Sequence, residues 1–537
     1  TPSSCYGYEF ANQAAMTRTR VDVLIVGAGP VGLAAAIELG HRAVSCLVVE
    51  QHDRVGVAPR AKTTNVRTRE HLRRWGIAAR LAAASPLGVD YPSNIVFATR
   101  LTGFELCRFE NASYCAPGKN PLYSEHGQWI PQYELEKVLK AHAESLPGVR
   151  IQFGRRLESL TQDESGVRAR VGEETIECRY LIGADGSRST VRGLVGAVMS
   201  GAALGRHCNT IFRAPGISRA HALGPATMYW LVNADAPSVT GPMDKGDIWF
   251  FGATLPQGRR LEGEGAKQLI RQATGVDLPI ELLSNDEWVA HRLIADRYRD
   301  RRVFLAGDAC HVHPPFGGYG MNMGIADAVD LGWKIAALLQ GWGGPRLLDS
   351  YEAERRPVHE FVMDEAVANH ALLPKHLWQP GLDDATPDGA RLRAEVGAAI
   401  KAAKVREFNT LGVVLGYNYS GSPIVVADGS TPPPRHFRDY VPSAHPGCLA
   451  PHAWLADGSS LYDHFGAGFT LLITDGDGAP KVETRVPLKL LRESSVRDLY
   501  QARCALIRPD QHVAWRGDSL SADIFDRVTG RNFVLSA

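Results

Sequence analysis

Six residues near the start of the chain, Gly27-Ala28-Gly29-Pro30-Val31-Gly32, have the types and spacing to hold a phosphate. Glycines let the main chain turn tightly and approach a pyrophosphate. A helix opening at Pro30 would then bring roughly half a unit of positive charge to the phosphate oxygens. Glu50, followed by Gln51, ends a second apolar run eighteen residues after Gly32. A carboxylate there can accept hydrogen bonds from an adenosine ribose. Together these residues predict a dinucleotide site, but they do not separate a flavin from a nicotinamide dinucleotide. Two later stretches add chemistry: Asp185-Gly186-Ser187-Arg188-Ser189-Thr190-Val191-Arg192, and an apolar run ending in Gly307-Asp308-Ala309-Cys310-His311. Pro314-Pro315-Phe316-Gly317-Gly318-Tyr319-Gly320-Met321-Asn322 follows, a glycine-rich loop ahead of a helix expected from about Gly324. Such a loop points main-chain N–H groups and a positive helix end at an electron-rich ligand. No metal is expected. His311 and His313 stand at i, i+2 with no third ligand nearby in sequence. Cys310 and His311, as chain neighbours, point apart and make no nucleophile–base pair.

The three motifs, in this order and at these separations, resemble those of the class A (single-component) FAD-dependent aromatic hydroxylases. Phenol hydroxylases, chlorophenol monooxygenases and hydroxyphenylpropionate hydroxylases belong to that family. The resemblance spans roughly residues 20 to 370 and, more weakly, the tail. It implies non-covalent FAD, NADH or NADPH as co-substrate, and a flavin hydroperoxide that hydroxylates a phenolic ring. It implies that Gly27, Gly29, Pro30, Val31, Gly32, Glu50 and Gln51 face the adenosine and pyrophosphate half of FAD. Arg60, Ala61 and Arg67 resemble the family segment over the FAD phosphates and flavin, and Gln132 the family glutamine near the same cofactor. Asp185 matches a stretch linked to FAD and nicotinamide. Gly307 and Asp308 match the ribityl-binding pair, and Gly320, Met321 and Asn322 the pyrimidine edge. Pro315 matches the proline lining the face where oxygen and substrate meet the flavin, the catalytic position. Where the yeast-type phenol hydroxylase has an acid after the segment matching Arg60-Ala61, this chain has Lys62, which leaves the phenol-activating group unassigned.

Rival readings are few. A flavin halogenase needs W-x-W-x-I-P, whereas Trp129-Ile130-Pro131 is preceded by His126 and Gln128 in place of the tryptophans. An FAD-dependent NAD(P)H dehydrogenase or reductase would show no substrate-dependent oxygen uptake. A non-enzymatic flavin-binding scaffold is hard to reconcile with the intact Asp308 and the loop to Asn322.

The elements that must position these residues follow from pattern. Val21 to Val26, apolar except Asp22, reads as a buried parallel strand. A helix from Pro30 to about His41 and a strand from Ser45 to Glu50 complete a βαβ unit. Helices are expected at Arg67 to Trp75, Tyr133 to Ser145, Ile325 to Gln340 and 350 to 375, and a buried strand at Arg302 to Ala306. Residues 205 to 295 read as an antiparallel sheet whose Tyr229, Trp230, Trp249 and Phe250 are candidates for the wall around the substrate. The fold class is α/β (α+β), with a Rossmann-like FAD-binding domain of the p-hydroxybenzoate hydroxylase type over 20–85, 125–200 and 296–375. An antiparallel-sheet substrate domain is expected over 86–124 and 201–295, and a polar, proline-punctuated connection over 376–445. The tail, 446–537, carries Pro451-His452-Ala453-Trp454-Leu455 and Ser460-Leu461-Tyr462-Asp463 and resembles the thioredoxin-like domain of the longer hydroxylases. It lacks C-x-x-C, so its expected use is structural, at a dimer contact.

At 537 residues, two or three domains are expected. Lys and Arg total 59 against 58 Asp and Glu, a balance that offers no field to nucleic acid or an anionic membrane. Nine scattered cysteines read as reduced thiols of a cytoplasmic protein. The most apolar stretch, Val23 to Gly40, holds four glycines, Pro30 and Glu38, which argues against a membrane span. The expected partners are therefore a small aromatic substrate and a second copy of the chain.

Overall fold

The computed structural model describes residues 18–53, 61–255, 261–476 and 484–531. In the strand Arg18–Val26 the half Val23–Val26 is apolar on both faces, and it lies parallel between two strands, Glu174–Gly183 and Cys46–Val49. Val303–Leu305 continues the parallel sheet on one side and Val149–Gln152 on the other. The register sets Val26 beside both Gly183 and Val49, and Gly183 beside Leu305. The three motif loops therefore leave the same edge of one sheet, at the carboxyl ends of its strands, where ligands of open α/β sheets bind. Two antiparallel strands, Leu157–Gln162 and Val167–Val171, extend this sheet beside Glu174–Gly183. The helix Pro30–Gly40 packs against the long helix Tyr319–Leu339. Gly332 makes that contact close, since a Cβ there would stand 2.6 Å from Glu38 Cγ.

The second sheet is laid out in the order His311–Val312, Glu281–Ala295, Met199–Arg213, Ile248–Thr254, Ser238–Asp244, Met228–Leu231, Ile95–Ala98, Glu105–Phe109. All its pairings are antiparallel except Met228–Leu231 with Ile95–Ala98. The strand His311–Val312, which follows directly on Asp308, pairs with Glu281–Ala295 and ties this sheet to the first. Its outer face is covered by the helix Gly263–Thr274, whose Ala266, Leu269, Ile270 and Ala273 pack on Phe212, Trp249 and Phe251. A third sheet, ordered Leu488–Arg492, Phe469–Ile473, Cys504–Ile507, Val513–Gly517, has one parallel pair followed by two antiparallel ones. Among the described residues no helix is long and apolar enough to cross a membrane.

Two expectations need correction. Residues 376–445 are not merely a polar connection. Pro387–Phe408 is a 22-residue helix, capped by Thr386 Oγ1 and started by Pro387, and Val396, Ile400 and Phe408 pack it on the second sheet. The helix after the glycine-rich loop begins at Tyr319, not Gly324, because Gly318 takes a left-handed N-cap (φ 68°). Gly320, Met321 and Asn322 thus lie in its first turn.

Candidate functional site

Three stretches far apart in sequence meet by close main-chain contact. A Cβ on Gly27 would lie 2.4 Å from the Ala184 carbonyl oxygen, and one on Gly307 would lie 2.8 Å from Val31 Cγ2. Arg192 Nη1 donates to the Ala309 carbonyl at 3.1 Å, linking the Asp185 turn to the Asp308 turn. Gly29 differs from these. Its φ of −74° is ordinary, and a Cβ there would meet nothing within 4 Å. The helix behind it has no side-chain cap and no acid in its first turn, so its first N–H groups have no side-chain partner there. Glu50 turns its carboxylate to this loop, accepting from Ala28 N at 2.9 Å and His52 N at 3.0 Å. The Tyr319–Leu339 helix likewise starts with no side-chain cap and no acid in its first turn. Two helix ends without side-chain caps, a glycine turn with room for close approach and a carboxylate beside it fit a dinucleotide carrying phosphates at one end and an electron-poor ring at the other.

The remaining sequence candidates are placed as follows. Asp308 is half-buried at the end of Val303–Leu305. Asn322 is buried, and its side chain joins two helix starts: it donates to the Thr63 and Gly318 carbonyls and accepts from Asn65 N and Thr68 Oγ1. Only its main chain can face a ligand. Gln132 accepts from Ala61 N at 3.0 Å and donates to Glu136, so it braces the segment that follows Arg60. Arg60 itself lies outside the described residues. Asp185 accepts from Ser189 Oγ and Val191 N, capping its own turn. Burial pushes its carboxyl above the usual range, with those hydrogen bonds opposing. Pro315 and Gln51 are exposed, and Met321 is half-buried against the first core. Arg67 requires correction: its guanidinium is taken up by partners within the protein. Buried to 3% exposure, it pairs with Glu70 and donates to Gln511 Oε1 and the Asp510 carbonyl of the third-sheet unit.

The aromatic wall also needs correction. Alternation along a strand sends neighbours to opposite faces. Tyr229 and Trp249 stack at 5.6 Å in the outer core beneath Gly263–Thr274, and Trp230 packs with Phe97 and Phe408. By register Trp230, opposite Val239 and so in line with Gly252, shares a face with Phe250 but is covered there by Phe408; Phe250 has Ile211, Met243 and Trp129 beside it. Lys62 lies over its ring, Nζ 2.8 Å from the centroid. At the other end of the same face His207 stacks on Trp288 at 4.8 Å and meets Phe316 of the glycine-rich loop at 6.1 Å. Burial, then His370 and Lys375, lowers the His207 imidazole to about 4, so it is neutral. Sequence reasoning named Lys62 only as a departure from the family acid and missed His207, although period two along His207, Asn209 and Ile211 marks that face.

His311 and His313 have a third histidine close by after all, brought from the helix Ser350–His370. His359 stacks on His311 at 3.7 Å. Asp327 holds the group together, accepting from His311 Nε2 (2.6 Å), His359 Nε2 (2.8 Å), Arg355 Nε (2.7 Å) and Gly307 N (3.1 Å). Burial raises the Asp327 carboxyl, and His359, His311 and Arg355 outweigh it to leave it well below the usual range. Through Gly307 N this hub fixes the turn that carries Asp308.

A model of the FAD binding domain matches residues 20–366, and one of the aromatic-ring hydroxylase C-terminal region matches 443–533. A putative polyketide hydroxylase of Streptomyces halstedii is 34% identical over 94% of this chain and 95% of its own. Phenol 2-monooxygenase of Pseudomonas sp. (strain EST1001) is 31% identical over 95% and 92%. The crystal structure of the flavin-dependent monooxygenase PieE in complex with FAD and substrate superposes with a TM-score of 0.86 at 30% identity, covering 96% of this chain and 99% of that one.

Proposed function

The chain belongs to the FAD-dependent aromatic-ring hydroxylases, and from that membership we propose that it hydroxylates a fused-ring phenol of polyketide type laid along the inner face of the second sheet. It is an FAD-dependent monooxygenase acting on aromatic substrates with NAD(P)H and dioxygen. The length and floor of that inner face carry the finer reading. His207 stands opposite Thr254 and Ile211 opposite Phe250, so the polar groups at the two ends are four residues apart, about 13 Å at the usual rise of a strand. Between them lies Gly252, where a Cβ would meet only two carbonyl oxygens, at 3.6 and 3.9 Å, so the floor is flat enough for several rings. The kinship to a polyketide hydroxylase supports the same substrate class.

When bound, FAD carries electrons from NAD(P)H and activates dioxygen for transfer of one oxygen atom to the ring. Gly27, Gly29 and Gly32 with the helix from Pro30 would hold its phosphates, and Glu50 the ribose. Asp308 would hold ribityl hydroxyls, and the main chain of Gly320, Met321 and Asn322 would place a positive helix end against negative charge on the ring. Ile211, Met243 and Phe250 keep water from the ring being hydroxylated, and Pro315 stands on the loop between sheet and cofactor. The chain then divides into a cofactor unit (20–85, 125–200, 296–375), a substrate unit (86–124, 201–295) and a thioredoxin-like unit (446–537). The parallel-then-antiparallel order of the third sheet, followed by the helix Ala522–Val528, supports the last. A cytoplasmic homodimer with a dimer contact in that unit completes the reading. Oxygen uptake with NADPH, comparing phenol with 2-naphthol and 1,8-dihydroxyanthraquinone, tests it. Faster uptake with the fused rings and a product heavier by one oxygen are expected. Equal turnover of plain phenol would sink the fused-ring assignment.

A further inference from the structure

Among the described residues, Lys62 is the cation on the wall described above whose side chain makes no ion pair and no hydrogen bond, only its contact with Phe250. Its main chain is engaged, the carbonyl accepting from Ile130 N at 2.8 Å between the short paired strands Thr63–Thr64 and Gln128–Trp129. Its amine lies on the face of Phe250, and among the described residues no carboxylate or other polar atom pairs with it. The elements around it offer none. Gln128–Trp129 and Ile248–Thr254 contain no ionisable side chain. On the strands flanking Ile248–Thr254, Asp244 accepts from Tyr133 Oη, Arg213 pairs with Glu281, Arg206 pairs with Glu287, and His207 is neutral. Burial alone pushes the Lys62 ammonium well below the usual lysine range, towards the free amine. Burying a long amine with no hydrogen-bond or charge partner costs free energy that the Phe250 face recovers only in part, which is the mark of a group awaiting a ligand.

We propose that Lys62 is a catalytic residue that takes the proton of the substrate phenol and holds the resulting phenolate at the Phe250 end of the inner face. This rests on the fused-ring phenol reading above. The phenolic O–H bond breaks and an Nζ–H bond forms, so the electron pair left on oxygen enriches the ring carbon that receives the oxygen atom from dioxygen. When that carbon loses its own proton and the ring becomes aromatic again, the ammonium returns its proton to the phenolic oxygen, and Lys62 is neutral for the next turnover. The Phe250 face stabilises the ammonium while it is charged, and the enclosed site strengthens its attraction to the phenolate.

The test is a spectroscopic titration of 1,8-dihydroxyanthraquinone, whose phenol and phenolate differ in colour, bound to FAD-loaded wild type, Lys62→Met and Lys62→Arg. Bound to wild type, the probe should ionise at least one pH unit below its value in free solution, a tenfold or greater rise in its acid dissociation constant. Lys62→Met should abolish that shift and divert NADPH-derived electrons to hydrogen peroxide. Lys62→Arg, a fixed cation, should keep the phenolate bound but lose the pH dependence belonging to the amine. An unshifted probe in wild type, or a shift that survives in Lys62→Met, overturns the assignment of Lys62. In that case coupled hydroxylation of the fused-ring phenols would leave the proposed function standing. Failure of wild type to bind or oxidise any fused-ring phenol overturns both. If Lys62→Met fails to retain FAD, the wild-type titration and Lys62→Arg decide alone.

Discussion

Among the glycines of the first loop, identical chemistry has unequal consequences. Gly27 is needed by the fold. Its φ of 107° and the Ala184 carbonyl 2.4 Å from any Cβ leave no room for a side chain, so Gly27→Ala should give little folded protein. Gly29 is free of both constraints, and Gly29→Val should fold normally yet bind FAD at least tenfold more weakly. Flavin fluorescence on reconstitution measures this, and unchanged affinity would show that the cradle is not the phosphate site. The role of Asp327 was invisible in sequence because its partners come from two other stretches, Gly307 with His311 and Arg355 with His359. Asp327→Asn leaves Arg355 buried without its counter-charge and should cost about 3–5 kcal/mol, as breaking a buried pair does. Urea unfolding monitors it. Of the site, the glycine spacing and the acids at strand ends were legible in sequence because main-chain geometry restricts which residues fit. The directions of Arg67 and Gln132 were not, since long side chains choose partners from the whole fold.

Elements were legible where one period dominates. The parallel strand Arg18–Val26 and the helix Gln132–Ser145 fall within a few residues of expectation because each buries a regular pattern. The helix Pro387–Phe408 was overlooked, although Leu392, Val396, Ile400 and Phe408 recur at multiples of four. The prolines flanking it resembled a linker, yet Pro387 only opens the helix. Phe408 is its main anchor, with Phe109 at 5.1 Å, Trp230 at 6.2 Å and Phe97 at 6.3 Å. Phe408→Ala should destabilise by about 3–5 kcal/mol through the cavity it leaves. Denaturant unfolding gives the value, and a loss below about 1 kcal/mol would mean the helix does not rely on this sheet.

At the scale of the whole molecule, buried charge joins the units. Arg508, within the third-sheet unit, binds Glu354 at 2.6 Å, Asp330 at 3.1 Å and Asp510 at 2.6 Å, all fully enclosed. Arg508→Met should therefore loosen that unit and expose new cleavage sites to limited proteolysis, while wild type resists. Buried histidines set the acid limit. Burial, as the largest cause, lowers His359 to about 3, and His207 and His452 to about 4, from 6.5. Between those values the unfolded chain binds protons that the folded chain does not, so stability must fall as pH drops from about 6.5 to about 4. The Asp327 contribution, from a lowered carboxyl, is lost only at still lower pH. A melting temperature that held steady from pH 7 to 4 would contradict this.

The order of the three motifs, the βαβ unit behind the first, and membership of a flavin-hydroxylase family could be read from residues alone, because each depends on neighbours a few positions apart. Which aromatics share a sheet face, where Arg67 points, and that Lys62 and His207 look onto one surface were decided only by the tertiary structure. Strand register and sheet packing assign a side chain to one face or its opposite, and the partners that set them are far off in sequence: Ile211 lies opposite Phe250, Thr63 opposite Trp129, and Arg67 donates to Gln511.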